Sequence, residues 1–226
     1  MRSAVRLLTG CLIAALPGVV LANGGGAMPS PSMSMPRAES PQEKARDAYN
    51  DGVRSVKKAD KAQEAAAHAD DAGRNDKALM EAHEAYAAAL GKFRDAVQLD
   101  ATLAEAWNYY GYTSRKLGSY DDALAAYGKA LSLKPGYPDA LEYRGEAYLG
   151  LNRIDEAKQS YLDLYAGNRQ LAGRLLAAMK GWSAAQRSGG TTAAGLDELD
   201  KWIQEREQIA GQTASLTRAG TAASWR

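Results

Sequence analysis

The sequence has very few of the side chains from which metal and redox sites are built. Its 226 residues include one cysteine, one phenylalanine and two histidines. Because Cys11 has no second cysteine to pair with, no disulfide can form within the chain, and packing alone must hold the fold. His68 and His83 lack a third ligand at convincing spacing, which a zinc site requires. We therefore predict no metal and no other cofactor.

Motifs for catalysis are missing as well. The sequence contains no nucleophile elbow, no phosphate-binding loop and no metalloprotease motif. The acidic pairs Asp121-Asp122 and Asp155-Glu156 fall in the first turns of predicted helices, where the helix dipole favours negative charge. These carboxylates need no catalytic role, and we predict that the protein is not an enzyme.

Neither sign of charge is in excess. There are 28 lysine and arginine residues against 27 acidic residues. Nucleic acids and anionic lipids are attracted by basic patches, which a nearly neutral chain of this kind does not suggest. We expect neither of them as a partner.

The one long apolar run lies at the N-terminus. Arg2 and Arg6 precede an apolar stretch at 7–21, and small residues end it at Ala22. This is the pattern of a secretory signal peptide, so we predict a signal peptide at 1–22, cleavage after Ala22 and export to a bacterial periplasm. No later segment approaches the twenty or so apolar residues of a membrane span, so stable membrane insertion after cleavage is not expected. Residues 23–40 are rich in glycine, proline, serine and methionine, which predicts a disordered linker.

A long helical hairpin is predicted at 41–100. Ser40, Pro41 and Glu43 form a capping box with a proline in the first turn, which marks a helix start. Apolar residues at three-and-four spacing extend the first helix to about Ala72, and a second helix follows the Gly73-Arg74-Asn75 turn with its seam running from Leu79 to Ala96. The seam is rich in alanine. It predicts pairing within the hairpin, and the same pattern leaves open a homodimer through the hairpin.

A 34-residue period follows the hairpin. Ala123, Tyr127 and Ala130 return as Ala157, Tyr161 and Leu164, and Ala89, Phe93 and Ala96 precede them at the same spacing. A fixed period of this size predicts stacked helix pairs with an extended surface for binding. Thr102 to Glu105 reads as a second capping box that opens the helix containing Trp107 and Gly111.

From Ala104 onward the chain resembles a tetratricopeptide repeat (TPR) protein, of a type exported by bacteria. The residues that carry the resemblance are Trp107, Gly111, Leu117-Gly118, Ala123, Tyr127, Ala130 and Pro135, and in the next unit Leu141, Gly145, Tyr148, Ala157 and Tyr161. The repeats are assigned to 101–168, C-terminal capping helices to 169–210 and a disordered tail to 211–226. The predicted fold class is all-α: a short TPR-like helical solenoid with an N-terminal long helical hairpin and C-terminal capping helices.

The resemblance also implies where a partner binds. In TPR proteins ligands lie along the groove formed by the first helix of each repeat, and the matching positions here are Asn108, Tyr109, Tyr112, Arg115, Lys116, Glu142, Tyr143 and Glu146. We predict a non-enzymatic adaptor that binds a polypeptide segment of basic or aromatic character. The alternative is a structural protein that self-assembles through the alanine-rich hairpin. Trp107 and Tyr127 are expected in the core, and Gly111 and Gly145 are expected where helices cross closely.

Overall fold

The computed structural model describes residues 38–190 and 195–222, with side chains described up to residue 213. The predicted signal peptide at 1–22, most of the predicted linker at 23–40 and residues 223–226 lie outside this part. Within it the chain is entirely helical apart from turns and short connections. The helices are α1 (Pro41–Ala67), α2 (Ala72–Leu99), α3 (Ala104–Lys116), α4 (Tyr120–Leu133), α5 (Pro138–Gly150), α6 (Ile154–Gly167), α7 (Arg169–Ser188) and α8 (Leu196–Ala222).

The helices form consecutive antiparallel pairs that stack on one another. α1 packs on α2, α3 on α4, α5 on α6 and α7 on α8. Each new pair docks through its first helix, since α3 contacts α1 and α2, α5 contacts α3 and α4, and α7 contacts α5 and α6. The odd-numbered helices therefore form one layer of a solenoid, here called the inner layer. The predicted fold class is confirmed.

The N-terminal hairpin is longer than the pairs that follow. At 1.5 Å per residue, α1 and α2 are each about 40 Å long, roughly twice the length of α3. The predicted capping box is confirmed, because the Glu43 backbone N–H donates to Ser40 Oγ at 3.2 Å and the Ser40 N–H donates to Glu43 Oε2 at 2.7 Å. Alanines of both helices, including Ala59, Ala82 and Ala89, are buried between them or against their neighbours.

The position of the hairpin turn was predicted wrongly. α1 ends at Ala67, and the turn occupies 68–71 instead of Gly73-Arg74-Asn75. The Asp71 carboxylate accepts a hydrogen bond from the Arg74 backbone N–H at 2.8 Å, so Asp71 caps α2 and Gly73 falls in the first helical turn. Leu79, predicted on the apolar seam, is 46% exposed near the hairpin tip.

Glycines mark the close helix crossings, as predicted. A Cβ atom added to Gly111 would lie 2.6 Å from the ring of Tyr127, and one added to Gly52 would lie 2.6 Å from the ring of Phe93. Both rings are fully buried, so neither can move aside easily. Gly145 also marks a crossing, but its close neighbour is Leu175 of α7 at 2.5 Å. A glycine is therefore required at this position by the packing of α7 on α5, and not by the packing of α6, the partner helix of α5.

Two local predictions in the first repeat are wrong. Thr102 does not cap α3, because its N–H and hydroxyl both donate to the Asp100 carboxylate, at 2.9 and 2.6 Å. α3 begins without a side-chain cap. Trp107 is only partly buried, and its indole N–H donates to the Ala101 carbonyl oxygen at 2.9 Å. A side chain that must reach this carbonyl stays at the edge of the core.

The two C-terminal helices close the apolar core. Leu175, Met179 and Leu199 are fully buried there, together with side chains of α5 and α6. The prediction that the last helix stops near residue 210 is wrong, because α8 continues to Ala222. A single glycine inside a helix costs only about 1 kcal/mol relative to alanine, so Gly211 is not sufficient to end it.

Candidate functional site

The eight predicted groove residues lie on two neighbouring helices of the inner layer, α3 and α5. Six of them are half-buried side chains: Tyr109, Tyr112, Arg115, Lys116, Tyr143 and Glu146. Asn108 and Glu142 are only 2% and 3% exposed. These two residues belong to the wall beneath the groove rather than to its open surface.

Tyrosine rings form a continuous row across the inner layer. The ring of Tyr109 stands 5.7 Å from that of Tyr49 on α1, measured between centroids, and 6.2 Å from that of Tyr112. Tyr112 in turn lies 5.0 Å from Tyr143 on α5. Burial raises the pKa of Tyr49 and of Tyr143 to about 12, so these hydroxyl groups remain neutral at ordinary pH. The row offers rigid, uncharged contact area with polar tips.

Asp60 of α1 anchors one side of this row. Its carboxylate oxygen Oδ1 accepts hydrogen bonds from the hydroxyl groups of Tyr86 at 2.5 Å and Tyr112 at 2.8 Å. Burial, followed by the hydrogen bond to Asp60, raises the pKa of both hydroxyl groups. Sequence reasoning missed Asp60, which stands between the charged residues Lys58 and Lys61 and looks like part of a solvated helix face.

A salt bridge joins α3 to α5 within the groove. Arg115 Nη1 lies 2.6 Å from Glu146 Oε2. The same guanidinium lies 5.4 Å from the ring centroid of Tyr112 and 5.5 Å from that of Tyr143, within cation–π range. The Lys116 ammonium donates to the side-chain oxygen of Gln63 on α1. Burial and the nearby Arg115 charge lower the Lys116 pKa.

A second salt bridge joins α5 to α7. Arg174 Nη2 donates to Glu142 Oε2 at 2.6 Å, and the carboxylate is almost completely buried. Burial raises the Glu142 pKa, and Arg174 opposes this effect. The two glutamates that made this side of the groove look acidic in the sequence are therefore both neutralised by arginines of neighbouring helices.

Removing Arg174 is expected to leave a buried carboxylate without its cation. We expect Arg174→Met to lower the free energy of unfolding at neutral pH by about 1–2 kcal/mol, since Arg174 is itself half exposed. A raised carboxyl pKa means that the folded protein binds the proton more tightly than the unfolded chain. The stability deficit should therefore be complete above the raised Glu142 pKa, shrink as the pH falls through it and vanish below the usual carboxyl pKa.

Urea titrations at several pH values measure this deficit. Arg54→Met is the matched control, because Arg54 pairs with Asp51 on the solvent-exposed face of α1 and surface pairs contribute little. An equal, pH-independent loss in both variants would contradict the assigned role of Arg174.

The described residues contain no group of three or more histidine, cysteine or acidic side chains able to hold a metal ion. Nor does this part of the chain include a helix that is both long and apolar enough to cross a membrane.

Comparisons with known proteins bear on the fold. Residues 111–152 match the family model of the TPR repeat, a segment that runs from the middle of α3 through α4 and α5. Among solved structures, the crystal structure of MamA is similar, with 20% sequence identity, a TM-score of 0.43 and coverage of 77% of this chain and 96% of that one. No curated protein matches the sequence. The chain therefore contains a segment that matches a TPR repeat, at 111–152, within a stack of helix pairs.

Proposed function

We propose that the protein is a non-enzymatic scaffold that binds a polypeptide segment along its inner layer. The tyrosine row of Tyr49, Tyr109, Tyr112 and Tyr143 carries this proposal. Rigid aromatic side chains with a polar tip are typical of surfaces that contribute strongly to protein binding. The TPR repeat also supports a role in protein–protein interaction rather than catalysis.

The charges of the groove favour a partner segment with aromatic or aliphatic side chains. A basic segment was the other option in the sequence, because Glu142 and Glu146 suggested an acidic side. Both carboxylates already bind an arginine, so they offer little to an incoming cation. The neutral tyrosine row is then the main contact surface, and apolar area buried against it provides the affinity.

The proposed site of action is a bacterial periplasm. The support comes from the sequence alone, through Arg2, Arg6, the apolar run at 7–21 and the small residues before Asn23. The alanine seam of the hairpin, which motivated the alternative of self-assembly, is occupied by the pairing of α1 with α2. We therefore do not propose the hairpin as a second function.

Photo-crosslinking in the native host tests the groove. A photoreactive amino acid is placed at Lys116 in the groove, and in a second strain at Lys129, which is exposed on α4 outside the inner layer. We expect one abundant adduct with another protein from position 116 and none of it from position 129. Tyr143→Ala should reduce that adduct about tenfold, as expected for loss of a central aromatic contact.

Tyr148→Ala is the matched control for this substitution. Tyr148 is another half-buried tyrosine of α5, but it packs with Arg153 and the core beneath α6 and not with the tyrosine row. If positions 116 and 129 give the same adducts, or if both tyrosine variants reduce the adduct equally, the inner layer is not the binding site.

A further inference from the structure

An open groove runs between α7 and α8 at the C-terminal end of the solenoid. One section of it has a volume of about 680 Å³ and is lined mainly by small or apolar residues, namely Gly173, Leu176, Ala177, Gly181, Ala184 and Ala210. Lys180 and Glu207 complete the lining of that section. The groove continues along both helices toward Arg187 and Asp200.

Grooves at this position in the stack are filled elsewhere in the chain. α3 lies against α1 and α2, α5 against α3 and α4, and α7 against α5 and α6. Within the described part of the chain, no helix occupies the equivalent position on α7 and α8. The groove therefore occupies the position at which three earlier helix pairs receive a packed helix.

The exposed face of α7 is unusual for a face in contact with water. Gly173, Ala177, Gly181 and Ala184 follow one another at three-and-four spacing, and all are exposed. A Cβ atom added to Gly173 or Gly181 would meet nothing within 4 Å. By contrast, the exposed face of α1 at the other end of the solenoid carries lysines and glutamate at 57, 58, 61 and 64. Charged side chains thus cover that face of α1, whereas this stripe of α7 consists of glycine and alanine.

The charges of the two helices are opposite. α7 carries four basic residues and no acidic one, while α8 up to residue 213 carries five acidic and two basic residues. Along the groove they already attract one another, since Lys180 Nζ lies 2.8 Å from Glu207 Oε1 and Arg187 Nη2 lies 2.8 Å from Asp200 Oδ2. These ion pairs leave α7 with a net positive charge and α8 with a net negative charge, so a second copy avoids contact between like charges only when its α8 faces this α7.

We infer that this groove binds a second copy of the chain. A two-fold axis parallel to the helices places α7 of one copy opposite α8 of the other, so that a four-helix bundle forms in which every neighbouring pair is antiparallel and oppositely charged. A two-fold axis perpendicular to the helices would place the two basic α7 helices against each other. The small residues of α7 let the helix backbones of the two copies approach closely.

The size of the face sets the expected strength. α7 is about 30 Å long, and two helices packed 8–10 Å apart give roughly 600 Å² of face per copy. About 1,200 Å² in total is the lower limit for a specific protein interface. A weak dimer with a Kd on the order of 10 μM is therefore expected. This interface is separate from the inner layer, so its test does not depend on the proposed function.

Sedimentation equilibrium of the purified chain, over a concentration range of about 1–200 μM around that Kd, tests the inference. We expect the mass to rise from monomer to dimer with concentration. Ala177→Glu places a charge on the exposed α7 face without disturbing the helix and should raise the Kd at least tenfold. Ala88→Glu, the same change at an exposed position of α2, is the matched control and should leave the Kd unchanged.

Other outcomes overturn the inference. A monomer at every concentration would show that the groove does not bind a second copy, and a helix of another protein would then be the occupant to test. A Kd that changes with Ala88→Glu but not with Ala177→Glu would show that self-association involves the hairpin.

The arrangement of the four helices in the dimer is tested separately by Ala184→Cys with Cys11 replaced by serine. The two α7 helices lie diagonally in the proposed bundle, too far apart for a disulfide, so efficient crosslinking of this variant to itself would exclude it.

Discussion

Tyr127→Ala is expected to lower the free energy of unfolding by about 3–5 kcal/mol, the largest effect of any single truncation we predict. The Tyr127 ring is fully buried and packs against Ala123, Ala130 and the Gly111 backbone, at the centre of the first complete repeat. Truncation removes this apolar area from the core and leaves a cavity that two rigid helices cannot close. Because small domains are stable by only about 5–15 kcal/mol, a loss of this size leaves the variant barely folded.

Urea unfolding followed by circular dichroism measures this loss, with two controls. Tyr127→Phe keeps the ring and should stay within about 1 kcal/mol of the wild type. Trp107→Ala removes a larger side chain, but Trp107 is only partly buried, so we expect a smaller loss of about 1–3 kcal/mol. A greater loss at Trp107 than at Tyr127 would show that the assignment of the repeat core is incorrect.

Alanine at Gly111 is expected to destabilise the protein by about 1–3 kcal/mol, whereas alanine at Gly128 is expected to stabilise it by about 1 kcal/mol. Both glycines lie inside helices, where alanine is intrinsically preferred. At Gly111 the added methyl group would stand 2.6 Å from the buried ring of Tyr127. At Gly128 it would meet no atom within 4 Å.

The comparison of these two variants isolates the close approach of α3 to α4. Thermal unfolding should give a lower midpoint for Gly111→Ala and a higher midpoint for Gly128→Ala than for the wild type. Combining Gly111→Ala with a smaller partner, Tyr127→Leu, should cost less than the sum of the two single changes, because the two residues contact each other. Equal effects of alanine at the two glycines would mean that α3 and α4 do not cross closely at Gly111.

Much of the fold could be predicted because it depends on local periodicity. The spacing of Phe93, Tyr127 and Tyr161 placed three aromatic rings in the core, and all three are buried. The Ser40 capping box was predictable for the same reason, since its two hydrogen bonds join residues three apart. Thr102 shows the limit of this reasoning. Its sequence pattern fits a helix cap, but its hydroxyl group donates a hydrogen bond to the Asp100 carboxylate instead of capping α3.

The candidate site was predicted as a set of positions but not as a set of contacts. Family spacing placed Tyr109, Tyr112 and Tyr143 on one face, and the structure brings their rings into one row. The depth of Asn108 and Glu142 was not predictable, because it depends on how tightly neighbouring helices of the inner layer approach. The contribution of α1 to the site was missed for a similar reason, since the period of a single helix does not show that Tyr49 faces Tyr109 of α3.

The sequence by itself determined the helix pairs, their order and the small residues at their crossings. The reason is that the 3.6-residue period of apolar side chains indicates which face of each helix is buried. The tertiary structure alone decided which charges pair. Asp60 reaches Tyr112 across 52 positions of the chain, and Arg174 reaches Glu142 across 32. These contacts depend on the angle and offset between stacked helices. Both are set by side-chain packing along the whole interface, which the periodicity of a single helix does not specify.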